Sequence, residues 1–334
     1  PNGGEKRGGG LPRLCAELYD AQKRSWPAFA RAAAFLADVR IRELSGGGCA
    51  FKVQFNPVRM KSGTARVDAD AIAARPCFLC PNALYPEQKG VLYRNAFLIL
   101  CNPAPIFPGH LTIAALTHRP QVIAAQIESF LALAGDLGEG TTLFYNGPAC
   151  GASAPDHLHF QAVPAGAVPI EGDWTALTAR SPDGRADGVD LWSTTSWGRT
   201  LLMARGRELR PLAEAMRRLI AMGGIAPDRT GEPMINILAF FRTGEWRLCL
   251  FPRRRHRPAA YDRPDPERLL VTPGAVEMGG FVVTPREMDF VRLDAETLRG
   301  IYREVSAPPI RVGDLPVSAG PPRTAAGSGL ERPS

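Results

Sequence analysis

The stretch GASAPDHLHFQA, from Gly151 to Ala162, places His157, His159 and Gln161 at alternate positions in an otherwise apolar run. Residues two apart share one face of a β-strand, so the spacing predicts that these three polar side chains project together. The apolar residues between them would then pack into the core. The chain has only five histidines, and two of them lie here. A half-buried strand with two surface histidines would also explain the pattern.

Glycine-rich sequence precedes this predicted strand. The segment NGPACGASAP begins at Asn146 and contains Gly147 and Gly151. Glycine lets backbone N–H groups approach a ligand closely, and a turn of this kind can bind phosphate. Asn146 and Gly151 are therefore candidate contacts to a nucleotide or phosphate.

Composition restricts the class of protein. The chain has 334 residues, of which 45% are hydrophobic and 22% are charged, enough for a substantial core in one or two domains. No apolar run is long enough to cross a membrane, and the scattered cysteines do not resemble a disulfide framework, which predicts a cytoplasmic protein. The net charge of +7 favours anionic partners. Nucleic acid is disfavoured because aromatic residues are not interleaved with the basic runs.

Predicted helices and strands are interspersed along the chain. A helix interrupted near Pro27 is predicted over residues 14–40, and apolar residues recur at helical spacing after Pro120 and again over 207–224. Residues 235–253 predict a hairpin. Because there is no strict βαβ alternation, the pattern predicts an α+β fold with a largely antiparallel sheet.

A cysteine pair forms the second cluster of reactive residues. Cys77 and Cys80 in RPCFLCPN have the C-x-x-C spacing of a zinc half-site. A redox pair is the alternative, although no thioredoxin-like βαβ pattern surrounds it. Two histidines from the same part of the chain could complete a Cys₂His₂ site.

The order of these motifs resembles the histidine-triad superfamily. Cys-x-x-Cys, PGHLTIAALTH, NGPACGAS and HLHFQ follow one another as in its transferase branch, which includes galactose-1-phosphate uridylyltransferase, diadenosine tetraphosphate phosphorylase and GDP-galactose phosphorylase. An uncharacterised bacterial family near that branch is similar over VQFNPVRMKSGTARVDA, RPCFLC, NPAPIFPGH, YNGPACGASAPDH and PGAVEMGG. The resemblance is strong over residues 50–165 and looser over 233–305.

The resemblance implies roles for the polar strand. It makes His159 the nucleophile that attacks the α-phosphorus of a nucleotide, and Gln161 the third member of the triad. A neutral imidazole nitrogen can attack and later leave again, whereas an amide can hydrogen-bond a phosphoryl oxygen without relaying a proton. In the family, glutamine at this position accompanies transfer to a phosphate acceptor and histidine accompanies hydrolysis.

The resemblance also assigns further site residues. It gives His118 and His157 as the ligands that join Cys77 and Cys80 around a structural zinc ion, and it makes His110 a supporting residue near the triad. The additional candidates for nucleotide or phosphate contact are Asn56, Arg59, Lys61 and Ser153. One departure affects Ser153: Asp156 lengthens the loop before the first histidine by one residue relative to the uridylyltransferases.

We therefore expect a histidine-triad-like antiparallel sheet with flanking helices, built from two related halves. The expected divisions are a disordered segment 1–12, a catalytic half 13–165 with the zinc site, a diverged half 166–312, and a disordered tail 313–334. The predicted activity is that of a nucleotidyltransferase or phosphorylase acting on a nucleoside-diphosphate sugar or a dinucleoside polyphosphate, with phosphate or a phosphorylated acceptor. A hydrolase and a non-catalytic, zinc-stabilised nucleotide-binding protein are the alternatives. Relatives are often dimers, so a homodimer is expected.

Overall fold

The computed structural model describes residues 10–46, 49–60, 68–222 and 231–314. It has the predicted α+β architecture, in which helices flank two sheets. The helices are α1 Gly10–Ser25, α2 Pro27–Phe35, α3 Ala69–Ala73, α4 Ile127–Leu137, α5 Ile170–Leu177, α6 Leu209–Met222, α7 Ala275–Met278, α8 Glu287–Arg292 and α9 Ala295–Val305. Among the described helices, none is both long and apolar enough to cross a membrane.

Ten of the thirteen strands in the described part of the chain form one large sheet. The first-half strands are β1 Arg40–Gly46, β2 Cys49–Phe55, β3 Gly90–Tyr93, β4 Phe97–Cys101, β5 Leu111–Ala115, β6 Thr141–Asn146 and β7 His159–Pro164. The remaining strands are β8 Gly184–Ala186, β9 Val189–Ser196, β10 Arg199–Gly206, β11 Ile235–Arg242, β12 Glu245–Pro252 and β13 Phe281–Thr284. Strands β1, β2 and β13 form a separate small sheet.

The strand order of the large sheet repeats from one half to the other. It runs β3-β4-β5-β7-β6-β11-β12-β10-β9-β8, and every pair in it is antiparallel. Read outward from the central pair β6 and β11, both halves follow the same order. The connection from β5 to β6 contains α4, and that from β10 to β11 contains α6. The order agrees with the expectation of two related halves in one compact unit.

Two apolar layers cover the faces of the large sheet. On one face, α1 contacts β3 and β4, α4 contacts β6 and β11, and α6 contacts β9 and β10. On the other face, the small sheet and α7 pack against β6 and β11 through residues such as Phe51, Phe144 and Leu238. The side chains of His159 and Gln161 alternate with Leu158 and Phe160 of the first layer, so they project toward the second face.

The start of α4 differs from the sequence prediction. The helix begins at Ile127 after a short 3₁₀ turn and not near Pro120. Tertiary hydrogen bonds hold the preceding residues, since the side chain of Gln121 bonds to β6 and β7 and the N–H of Ile123 donates to Glu232. The predicted interruption near Pro27 is confirmed, because α1 ends at Ser25 and α2 begins at Pro27.

Arg253, at the end of β12, ties the C-terminal segments to the centre of the sheet. Its side chain is fully buried, and all five N–H donors of its guanidinium are used. They donate to Asn236 Oδ1 and to the backbone carbonyls of Pro273, Val305, Arg255 and His256. The guanidinium therefore has no N–H donor left for a phosphate ligand.

We predict that Arg253→Ala lowers the free energy of unfolding by about 3 kcal/mol or more, because it leaves several buried acceptors unpaired. Arg255→Ala is the matched control, since it removes an exposed ion pair with Glu304 and should cost less than about 1 kcal/mol. Urea unfolding of the three proteins measures both effects. Equal losses in the two variants would contradict the anchoring role of Arg253.

Candidate active site

His159 begins β7 and is held in one tautomer by the backbone. Its Nδ1 lies 2.8 Å from the carbonyl oxygen of His157. A carbonyl can only accept, so Nδ1 carries the proton and donates it to this bond. Burial is the main cause that lowers the pKa of His159 to about 4. At neutral pH the ring is therefore uncharged, and its Nε2 presents a lone pair.

Gln161 is oriented by a second histidine. His110, which is 1% exposed, accepts the N–H of Ile106 at Nδ1 over 3.3 Å, so its proton is on Nε2. That Nε2–H donates to Gln161 Oε1 over 3.0 Å. The amide oxygen of Gln161 is thereby occupied, and its NH₂ group remains as a donor. His110 thus contacts Gln161 directly, and its supporting role stays a prediction.

A chain of hydrogen bonds extends this support into the small sheet. Ile106 also accepts from Gln54 Nε2 through its carbonyl, and Gln54 Oε1 accepts from Asn56 Nδ2. Asn56 is 1% exposed, and its Oδ1 is buried without a hydrogen-bond partner among the described residues. This orphan acceptor is suited to a hydroxyl or amide donor of a ligand.

Gln121 is a site residue that the sequence reasoning missed. Its Oε1 accepts from the backbone N–H of His159 over 2.7 Å, and its Nε2 donates to the carbonyls of His159 and Asn146 over 2.9 Å each. The side chain is fully buried. It joins the end of β6 to the start of β7 and so fixes the backbone that carries His159. A single glutamine beside Pro120 gives no pattern from which this role could be predicted.

The glycine-rich loop meets a segment from the C-terminal half. Gly151 has φ +94°, and a Cβ added there would lie 3.0 Å from the Cα of Gly274. The Oδ1 of Asn146 accepts from the N–H of Ala275 over 2.7 Å and from Asn236 over 2.9 Å. Because both glycines lack a Cβ, the two backbone segments can lie in direct contact. The segment at Gly274 also packs against Asn146.

Two charged groups from different elements face this region. Arg59 donates to the carbonyl of Ala104 over 2.8 Å. Burial is the main cause that lowers the pKa of His110, and the charge of Arg59 lowers it further. Glu277 accepts from the N–H of Gly274 over 2.9 Å. Burial raises the pKa of Glu277, while that N–H and the charges of Arg59 and Arg253 oppose the rise. Arg59 thus lies within electrostatic reach of both His110 and Glu277.

Ser153 and Lys61 are the remaining residues predicted to contact the nucleotide or phosphate. Ser153 is half-buried in the loop before His157. Asp156, the extra residue of that loop, forms an ion pair of 3.0 Å with Arg75. This contact fastens the cysteine-bearing segment to the loop. The prediction for Lys61 lies outside the described residues.

Cys77, Cys80, His118 and His157 form a cluster that could hold a metal ion. One ligand atom from each lies within 4.8 Å of the others. The sulfur-to-Nδ1 distances are 3.2 Å for Cys77–His157, 3.3 Å for Cys80–His118 and 3.6 Å for Cys80–His157. Tetrahedral coordination with ordinary zinc bond lengths gives an S–N distance of about 3.5 Å, so the four residues fit such a site.

His157 does not lie in the strand, although the sequence predicts that it does. Strand β7 begins at His159, so His157 lies in the preceding turn and points to the cysteines, away from the face of His159. Its Nε2 lies 2.7 Å from the carbonyl of Ala115, which assigns the proton to Nε2 and leaves Nδ1 free to coordinate. The same residue thus contacts the cluster with its ring and His159 with its carbonyl.

Comparison with known proteins identifies one family model that matches this sequence and solved structures that share its fold. Residues 18–164 match the model of a family described as a domain of unknown function, DUF4922. A comparison with curated protein sequences finds no match. Among solved structures, yeast Ap4A phosphorylase Apa2 in complex with AMP is similar with a TM-score of 0.59 and 13% identity, covering 94% of this chain and 99% of that chain. The complex of the same yeast protein with Ap4A gives 0.57 and 13%, covering 91% and 99%.

The chain therefore has the fold of a yeast Ap4A phosphorylase over nearly the whole length of both proteins. The α+β fold expected from the sequence is confirmed by this similarity. At 13% identity, the similarity establishes the fold alone.

We predict that the buried, neutral His110 destabilises the folded protein in acid. Its pKa is about 3 in the folded state and about 6.5 when unfolded. Between these values the unfolded chain binds the extra proton, so the free energy of unfolding falls as the pH falls. From pH 6.5 to pH 4 the loss from this residue is up to about 3 kcal/mol.

His110→Gln provides the comparison, because it keeps an N–H donor for Gln161 and removes the titration. The difference in unfolding free energy between wild type and variant, measured by urea unfolding at several pH values, should change in favour of the variant as the pH falls. A pH-independent difference would show that His110 titrates normally in the folded protein.

Proposed function

We propose that this protein is a nucleotidyltransferase of the phosphorylase type, acting on a nucleoside-diphosphate sugar or a dinucleoside polyphosphate. The observation that carries the proposal is the bond from His159 Nδ1–H to the carbonyl of His157. It leaves Nε2 of a neutral imidazole as the nucleophile. The shared fold with yeast Ap4A phosphorylase supports the proposal, since structures of that protein hold Ap4A and AMP.

In the first step, His159 Nε2 attacks the α-phosphorus of the substrate. A P–N bond forms while the P–O bond to the leaving nucleoside polyphosphate or sugar phosphate breaks, and the leaving oxygen takes the electron pair. In the second step, an oxygen of the acceptor phosphate attacks the same phosphorus and the P–N bond breaks, which restores the neutral ring. The proton on Nδ1 stays in its hydrogen bond to the carbonyl of His157, and that carbonyl stabilises the positive charge that the ring gains in the intermediate.

Gln161 supports the transfer by donating from its NH₂ group to a nonbridging oxygen of the α-phosphoryl group. The donor is already oriented because His110 occupies Oε1, so little reorganisation is needed as negative charge develops. An amide cannot take a proton from an attacking water. Phosphate, which is already anionic, needs no such base. Gln161 therefore favours a phosphate acceptor over water.

The remaining candidate residues bind the substrate. Arg59 offsets the charge of the substrate phosphates, and the orphan Oδ1 of Asn56 accepts from a ribose hydroxyl or the base. Asn146, Gly151 and Ser153 border the phosphates through the glycine-rich loop. Lys61 stays a prediction of the same kind.

The Cys₂His₂ cluster holds a structural zinc ion in this proposal. Two thiolates and two imidazoles are the preferred donors for zinc, and four protein ligands leave no open position for catalysis. Bound there, the ion would supply a fixed tether between the cysteine turn and the residues before β7. His157 would be held on both ring nitrogens, which fixes the carbonyl that orients His159.

We predict about one zinc ion per chain in protein purified without chelators, measured by elemental analysis. Cys77→Ser/Cys80→Ser should lose the metal and melt at lower temperature, because a structural ion contributes directly to folding. Cys101→Ser, at a buried cysteine outside the cluster, is the control that should retain the metal. Well under one zinc per chain in wild type would mean that the cluster is a thiol pair without metal.

We predict that incubation with an α-phosphate-labelled dinucleoside polyphosphate or nucleotide-sugar labels the wild-type protein and that His159→Ala abolishes the label. A P–N bond is acid-labile and base-stable, so the label should survive alkali and be lost in acid. His256→Ala, at a histidine outside the site, is the control and should label normally. Equal labelling of His159→Ala would refute the intermediate.

Product analysis with and without inorganic phosphate separates the proposal from its alternatives. A phosphorylase releases a nucleoside diphosphate only when phosphate is present, whereas a hydrolase releases the monophosphate in either case. A non-catalytic nucleotide-binding protein would bind substrate without product, and His159→Ala would then leave its properties unchanged. Gln161→His should raise the hydrolytic fraction if the amide is what excludes water.

A further inference from the structure

A second cavity lies away from His159, where the β9–β10 turn meets the end of α9. Its volume is about 590 Å³, within the range of small-molecule sites. Strands β6, β11 and β12 separate β7 from β10 in the large sheet. At the usual strand spacing this puts the cavity roughly 19 Å from the strand of His159, too far to be part of the same pocket.

Three arginines line this cavity. Arg299 and Arg303 lie four residues apart on α9, and Arg254 joins them from the end of β12. No carboxylate is among the lining residues that the structure describes. Guanidinium groups bind phosphate oxygens in a planar, two-pronged geometry, so the charge and chemistry of the wall select an anion, and phosphate in particular.

Arg254 also offsets the partial negative charge that the C-terminal end of α9 would present to an anion. The last carbonyls of a helix carry partial negative charge, which disfavours an anion. Arg254 donates from Nε to the carbonyl of Glu304 and from Nη2 to that of Arg303, over 2.9 Å each. It thus offsets the charge at the end of α9 on the side that faces the cavity.

A buried hydroxyl gives independent evidence for a ligand. Ser306 lines the cavity and is 3% exposed, and its Oγ has no hydrogen-bond partner within the described part of the chain. A buried hydroxyl without a partner costs free energy, so its presence is explained if a ligand supplies the partner. The rest of the wall combines Trp197, Ala307 and Pro308 with the threonines Thr195 and Thr200.

We propose that this cavity is a second binding site, for a small phosphorylated compound whose phosphate contacts Arg254, Arg299 and Arg303. The hydroxyl of Ser306 bonds to the same group, and Trp197 with its apolar neighbours contacts the remainder of the ligand. The site is separate from the proposed active site and does not depend on His159.

Titration of the full chain with inorganic phosphate and, separately, with AMP tests the proposal through the fluorescence of Trp197. Sodium chloride at equal ionic strength serves as the reference, and Trp197→Phe identifies the part of the signal that belongs to this residue. We expect a saturable change, with a dissociation constant raised about tenfold or more in Arg299→Gln/Arg303→Gln. Arg207→Gln/Arg210→Gln, which removes the same charge from exposed positions, should leave it unchanged.

Ser306→Ala gives a second, independent readout. Because the hydroxyl has no partner without ligand, the variant should unfold at the same urea concentration as wild type or a higher one. Its affinity for the ligand should nonetheless fall several-fold. A response to phosphate alone supports a site for the phosphate group, and a response to AMP alone supports a site for a nucleotide.

Two results would overturn the proposal. One is an equal dissociation constant in wild type and Arg299→Gln/Arg303→Gln, by fluorescence or by calorimetry. The other is the absence of any Trp197-dependent change with either compound up to about 10 mM, where even weak sites with millimolar dissociation constants fill.

Discussion

The hydrogen bond between the ring of His159 and the carbonyl of His157 is the contact on which the site depends. It is short, at 2.8 Å, and it is local, since the two residues are separated by a single leucine. Its effect is chemical as well as structural, because it decides which ring nitrogen carries the proton. The hydrogen bonds of Gln121 hold the same backbone in place.

Support for that bond comes from three directions. Gln121 holds the backbone of His159 from the side of β6. The cluster at Cys77 and Cys80 holds the ring of His157 from the other side. His110 fixes the amide of Gln161 two residues further along β7. The site is thus rigid before any ligand arrives, which is the condition for electrostatic stabilisation of a transition state at little reorganisation cost.

Local patterns in the sequence indicate the candidate reactive residues but not the residues that hold them in place. The alternation at His159 and Gln161 and the C-x-x-C spacing are short-range signals, and each reflects a constraint within one strand or turn. Gln121 acts through partners 25 and 38 residues away, and Arg253 has partners up to 52 residues away, so no spacing reveals them. Strand β1 was missed for a related reason: its burial is set by one residue, Leu44, and its sequence shows no alternation. The helix start predicted near Pro120 was wrong, because tertiary hydrogen bonds determine the conformation of the residues that follow it.

The mirrored strand order allows the two halves of the large sheet to be compared strand by strand. Strand β12 occupies in the second half the place that β7 occupies in the first, and both strands end in proline. Counted back from those prolines, Arg247 and Cys249 occupy in β12 the positions that His159 and Gln161 occupy in β7. Cys249 is fully buried, and Arg247 forms an ion pair of 3.0 Å with Glu245. The position of His159 is therefore taken in the second half by a guanidinium, which has N–H donors but no acceptor nitrogen.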